Sequence, residues 1–258
     1  MTDAPVRVDR AGPVAWCTLA RPPLNLLDPG VIQAVRATFL GLAAEAELRA
    51  VVLTGSGRAF CAGMNVHVLR DLDVAGARQL ITALHEAIEA VHHAPVPVVA
   101  AISGPCLGAG LELALACDFR LASPEATFGL PEVRVGVPSV IEAALLPPLI
   151  GPGRAAELLL TGEAISAERA LAWGLLNEIT DASGLRSAVD PLVAKILRSG
   201  PGAIRLQKRL MLRWRYSDLD TAIRDGIEAF AAAYATGEPA EGAAALLAKR
   251  VPRFEGRA

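Results

Sequence analysis

Residues 95–136 read PVPVVAAISGPCLGAGLELALACDFRLASPEATFGLPEVRVG. Between Ala94 and Cys117 the only charged residue is Glu112. A membrane span takes about 20 apolar residues in unbroken helix, and here Pro95, Pro97, Gly104, Pro105, Gly108 and Gly110 interrupt the run. It therefore predicts a buried strand (VPVVAAIS), a glycine-rich loop (GPCLGAG) and a buried helix (LELALACD). FRLAS follows as a strand, ATFGLPEVRVGVP as a long loop and SVIEAALLPPLIG as a helix.

Upstream, AVVLTG (50–55) is a second fully buried strand of mainly β-branched residues. It leads into the loop SGRAFCAGMN and a helix-rich stretch to about Val91. VRVDR and VAWCTLA flank Gly12-Pro13 and read as the start of a β-meander. Asp28 is placed to cap a helix that has Pro29 at its first position and continues through VIQAVRATFLGLAAEAE. Alternating strands and helices, with strands that are apolar on both faces, point to an α/β fold around a mainly parallel sheet. From Pro152 onward the pattern is nearly all helical, and the tail EGAAALLAKRVPRFEGRA ends one last helix. We divide the chain into a core, residues 1–195, and a C-terminal helical region, residues 196–258.

The bulk properties fit this. The 258 residues, 53% hydrophobic and 20% charged, are ample for a buried core and argue against disorder. A net charge of −2, with the 25 basic residues scattered apart from a run near Lys208 to Arg215, gives no electrostatic reason to expect nucleic acid or an anionic membrane. Cys17, Cys61, Cys106 and Cys117 form no C-x-x-C pair and sit in apolar runs, as buried thiols of a reducing cytoplasm do. MTDAPVRVDR has no apolar core of a secretory signal. His67, His85, His92 and His93 have no metal-ligand spacing, and His92-His93 read as a positive charge at a helix end.

Two loops each follow a buried strand and precede a helix: Gly55 to Asn65 and Gly104 to Gly110. Glycine there permits a sharp turn and close approach of a ligand to bare N–H groups. Neither loop contains G-x-G-x-x-G or a Gly-Lys-Ser/Thr phosphate motif. Facing one another, they would form an oxyanion hole.

Two glutamates are out of place. Glu112 lies inside an apolar helix, where a carboxylate is costly unless paired or used. It is either functional or tied to an arginine such as Arg120 or Arg134. Glu132, in FGLPEVRVG, is either functional or a loop carboxylate that accepts backbone N–H groups. Burial would raise a carboxyl toward the range useful for proton transfer. Glu142 belongs to Ser139-Val140-Ile141-Glu142, which matches a capping box, and is assigned to structure.

The 95–136 stretch, together with LTGSGRAFCAGMN, LLLTGEAISAERALAWGLLNEI and AKRVPRF, resembles the enoyl-CoA hydratase/isomerase family, the crotonase superfamily, over essentially the whole chain. The resemblance implies a ββα-repeat core and a helical C-terminal oligomerisation region that forms a homotrimer or hexamer. It implies an acyl-CoA substrate whose thioester oxygen sits between the N–H groups of Met64 and Ala109. Glu112 and Glu132 would then hold a water, with Glu112 the base toward it and Glu132 the donor to Cα. Pro23, Leu24, Ala62, Met64, Asn65 and Val66 would touch coenzyme A, which arrives as part of the substrate; no other cofactor and no metal are implied. The implied activity is enoyl-CoA hydration. Double-bond isomerisation, another acyl-CoA reaction or non-catalytic acyl-CoA binding are the alternatives. The chain departs from the family pattern in VGVPSVIEAALLP after Glu132, in Asn65 where an acidic residue is usual, and in a short segment between His67 and Ile81.

Overall fold

The structure is a computed structural model that describes residues 4–181 and 184–254. Residues 255–258 of the C-terminal tail lie outside the described residues. Strands β1 (Val6–Ala11) and β2 (Val14–Leu19) form an antiparallel hairpin about Gly12-Pro13. β3 (Ala50–Gly55), β4 (Val98–Ile102), β6 (Phe119–Ala122) and β9 (Glu178–Ile179) then extend a six-stranded sheet in the order β1-β2-β3-β4-β6-β9, every pairing after the first being parallel. A second sheet, β5-β7-β8, joins Pro105–Leu107, Thr127–Gly129 and Ile165–Ser166. Sequence reading took the first two of these for loop, because three-residue strands leave no periodicity to read.

The period of two along each central strand separates two layers. Ala15, Cys17, Val51, Leu53, Val98, Ala100 and Ile102 point into the larger core, with helices α1 (Pro29–Ala43), α3 (Val74–His92) and α4 (Ala109–Leu115). Val14, Trp16, Ala50, Val52, Val99, Ala101 and Leu121 face Leu185, Val189 and Val193 of α8 (Leu185–Leu197). Strands covered on both faces in this way account for continuous apolar runs such as VVAAI. Asp28 caps α1 through Val31 N–H at 2.9 Å, with Pro29 at the first position, as the sequence predicts. The remaining helices before α8 are α2 (Val66–Arg70), α5 (Leu146–Ile150), α6 (Pro152–Thr161) and α7 (Ala167–Ala172). The C-terminal helices are α9 (Pro201–Trp214), α10 (Leu219–Ala233) and α11 (Glu238–Leu247). Among the described residues no helix is long and apolar enough to cross a membrane.

Two expectations are corrected. SVIEAALLPPLIG is not one helix: a 3-10 turn at Ile141–Leu145 leads into the short α5, and Ile141 takes a φ of +40°, outside the α-helical region. His92 is not a charged helix terminus. It is buried, its Nδ1 lies 3.3 Å from the Ala116 carbonyl, and burial lowers its pKa to about 4, so the ring is neutral. The four cysteines are free and buried. Burial pushes Cys17, Cys61 and Cys117 up to about 12 and Cys106 well above its ordinary value, which leaves inert thiols.

Candidate active site

The two glycine-rich loops are laced together by backbone hydrogen bonds. Cys61 N–H donates to the Pro105 carbonyl at 3.2 Å, and Leu107 N–H donates to the Cys61 carbonyl at 3.0 Å. Gly110 makes this approach possible, since a Cβ there would lie 2.3 Å from the Cys61 carbonyl oxygen. On the other side Leu27 N–H donates to Gly63 O at 2.9 Å and Asn65 N–H to Leu27 O at 2.8 Å, which fixes Met64 between them. Asn25 is the anchor that sequence reading missed. It is 1% exposed, and its Nδ2 donates to the carbonyls of Ser56, Ala59 and Phe60 at 2.8, 2.8 and 3.2 Å. A lone polar residue in PPLNLL was the available signal.

Met64 and Ala109 therefore sit at the ends of two facing loops. Among the described residues neither N–H donates to a protein acceptor. Ala109 opens α4, where the first N–H groups of a helix lack internal partners. Both residues line one cavity of about 690 Å³, with Ala62, Gly63, Val66, Glu112 and Glu132. Leu69, Leu72, Leu80, Ile81 and Leu84 form an apolar wall on α2, α3 and the turn between them. Pro23, Leu24 and Asn65 are not part of that lining. The carbonyls of Pro23 and Leu24 accept from Arg58 and Ala62 N–H groups at 3.1 and 3.0 Å, and Asn65 caps α2 through His67 N–H.

Glu112 is 3% exposed, and among the described residues it makes no ion pair. Arg120 is buried on the carbonyls of Leu175, Ala114 and Cys117, and Arg134 pairs with Glu163, so neither arginine holds Glu112. Glu112 Oε1 instead accepts from Ala143 N–H at 3.2 Å. Burial, with the Glu132 charge adding to it, pushes the Glu112 carboxyl up to about 8, while the backbone of Ala143 and Val140 opposes the rise. Glu132 lies half-buried on the 3-10 turn Pro131–Val135. Its Oε2 accepts from Ser139 Oγ at 2.7 Å, and its Oε1 rests against Gly108, where a Cβ would come within 2.4 Å. Gly108 has φ +53° and ψ −130°, a conformation open to glycine and little else.

The capping-box reading of Ser139 and Glu142 fails here. Val140, not Ser139, precedes the 3-10 turn, with no side-chain cap. Ser139 is spent on Glu132, and Glu142 is buried with His85 Nδ1 2.7 Å from its Oε1. Among the described residues no group of three or more His, Cys, Asp or Glu side chains is placed to hold a metal ion.

Comparison with known proteins agrees with this architecture. The sequence profile described as "Enoyl-CoA hydratase/isomerase" matches residues 9–257. A short-chain-enoyl-CoA hydratase of Clostridium acetobutylicum is 32% identical over 95% of this chain and 95% of its own length. A crotonyl-CoA hydratase of Syntrophomonas wolfei is 32% identical over 90% of each chain. The crystal structure of an enoyl-CoA hydratase from Bacillus anthracis superposes with a TM-score of 0.93 at 32% identity, covering 98% of this chain and 100% of that one.

Proposed function

Because this chain belongs to the enoyl-CoA hydratase/isomerase family, we propose that it adds water across the 2,3-double bond of a 2-enoyl-CoA thioester. The observation that carries this reading is the pair of carboxyls, Glu112 and Glu132, lining one cavity beside the N–H groups of Met64 and Ala109. The thioester oxygen accepts from those two N–H groups, which stabilise the enolate that forms as water adds; one such donor contributes about 3 kcal/mol in the transition state. Glu112, ionised, takes a proton from the water that attacks Cβ, and Glu132 delivers a proton to Cα. Two carboxyls that line one cavity can divide the base and acid roles around one water between them. Ala62 and Val66 at the cavity edge, with Pro23, Leu24 and Asn65 behind the first loop, border the path of coenzyme A. No cofactor is proposed, since coenzyme A enters as part of the substrate.

As the base, Glu112 works only when ionised, so kcat/KM rises as pH rises through about 8. The test is loss of conjugated-thioester absorbance with short- and medium-chain 2-enoyl-CoAs, the products identified by mass, in wild type, Glu112→Gln and Glu132→Gln. Water addition by wild type, lost in both variants, is the expected result. Double-bond migration without mass gain would turn the reading to isomerisation, and binding without turnover would end the enzymatic one. We also propose a homotrimer or a hexamer. Leu219, Ile223, Ile227, Phe230 and Tyr234 make an apolar stripe along α10 and its end, each more than half exposed, too large a patch to leave to water.

A further inference from the structure

The turn that reaches Glu112 is strained. Ile141 is β-branched yet has a φ of +40°, a conformation that persists only where its surroundings over-determine it. The next two residues show what does so. Ala143 N–H is shared between the Val140 carbonyl at 2.9 Å and Glu112 Oε1 at 3.2 Å. Glu142 turns the other way and meets His85 Nδ1 at 2.7 Å. Glu142 is 8% exposed, and among the described residues its Oε2 has no hydrogen-bond partner, so His85 is the one side chain that holds it. His85 projects from α3, the helix that also supplies Leu80, Ile81 and Leu84 to the cavity wall.

We infer that His85 and Glu142 are positioning residues that clamp the 140–143 turn to α3 and so aim its N–H groups at Glu112. This rests on Glu112 being the base of the proposed hydration. Neither side chain touches the reacting atoms. The pair acts through the backbone: with the turn clamped, the N–H of Ala143 and the backbone of Val140 favour the ionised carboxylate against its burial. The titratable groups that face this cluster are Glu132 from the 131–135 turn, Glu142 itself, and His85 and Glu89 from α3, with Glu89 Oε2 4.0 Å from His85 Nε2. Releasing the clamp withdraws the N–H groups and shifts Glu112 toward its protonated form. The base is then scarcer at neutral pH and less well aimed.

The test combines turnover with a carboxyl titration. Glu side chains labelled with carbon-13 at the carboxyl are followed by NMR, the Glu112 signal assigned by its loss in Glu112→Gln. Wild type is compared with His85→Ala, with the volume-keeping His85→Leu in case the alanine variant fails to fold, and with His85→Asn, whose amide nitrogen can stand where Nδ1 stands. The expected result is a Glu112 midpoint moved upward and kcat lowered about tenfold, with KM changed by less than about twofold. The asparagine variant restores both. A folded variant with an unmoved Glu112 midpoint overturns the inference, whatever its activity. If wild type adds no water, the hydratase reading fails on its own, and the titration still decides whether the clamp exists.

Discussion

Replacing Glu112 with glutamine should make the protein more stable and inactive, and the gain in stability should depend on pH in a specified way. In the unfolded chain the carboxyl ionises near its ordinary value of 4.5, and in the folded protein at about 8. Because the folded value is the higher one, folding carries no penalty from this group below the unfolded value. The penalty grows as pH rises from there to about 8 and is constant above. Each tenfold difference in proton affinity corresponds to roughly 1.4 kcal/mol. The penalty is then below about 1 kcal/mol at pH 5, about 3 at pH 7 and about 4 at pH 8, with water penetration tending to reduce each figure. Glutamine has the same shape, can still accept from Ala143 N–H, and carries no charge to desolvate. Urea denaturation of wild type and Glu112→Gln at pH 5 and pH 8 measures the difference directly. The variant should match wild type within about 1 kcal/mol at pH 5 and exceed it by several kcal/mol at pH 8. A difference that does not change between the two pH values, or a variant less stable than wild type at pH 8, would refute the reasoning that burial dominates at Glu112. A stabilising change that abolishes chemistry is what a carboxylate kept for function at the expense of folding should give.

Three further substitutions probe the frame. Gly108→Ala puts a Cβ within 2.4 Å of Glu132 Oε1 at a backbone angle alanine disfavours; stability should fall by about 1–3 kcal/mol and kcat by roughly a hundredfold, and a near-normal kcat would mean that Glu132 need not stay where it lies. Asn25→Ala leaves the carbonyls of Ser56, Ala59 and Phe60 without their common donor, which should cost about 3 kcal/mol in urea denaturation and raise KM for the thioester as the first loop loosens. Ser139→Ala removes the hydrogen bond to Glu132 Oε2; kcat should drop about tenfold with the thermal midpoint nearly unchanged, and equal loss of both would make Ser139 a folding residue instead.

How much of this could be read from the sequence differs by element for physical reasons. The central strands were legible because burial on both faces writes itself as unbroken apolar runs, as in AVVLTG and VVAAI. The α1 cap was legible because Asp28-Pro29 is chemistry local to four residues. Glu112 and Glu132 stood out as carboxyls in apolar company, and both line the cavity. Asn25, Ser139 and Glu142 were missed or misread because their partners lie far along the chain or on another turn. Asn25 reaches 31 to 35 residues ahead, and Glu142 reaches back 57. A serine three residues before a glutamate looks the same in sequence whether the pair caps its own turn or turns outward. Here the positive φ of Ile141 decides for the latter, and no pattern of residue types announces it.

The lacing of the two loops through Cys61, Pro105 and Leu107 has a consequence for how such a protein can change over time. The electrophilic centre proposed here is built from main-chain atoms, so no single codon encodes it. Mutation at Met64 or Ala109 can enlarge, narrow or reshape the chamber while the N–H groups stay in place. What drift must spare are the positions that allow the two loops to touch, above all Gly110. Substrate range is thereby free to wander on a charge-stabilising device that is itself almost immune to substitution at the residues that form it.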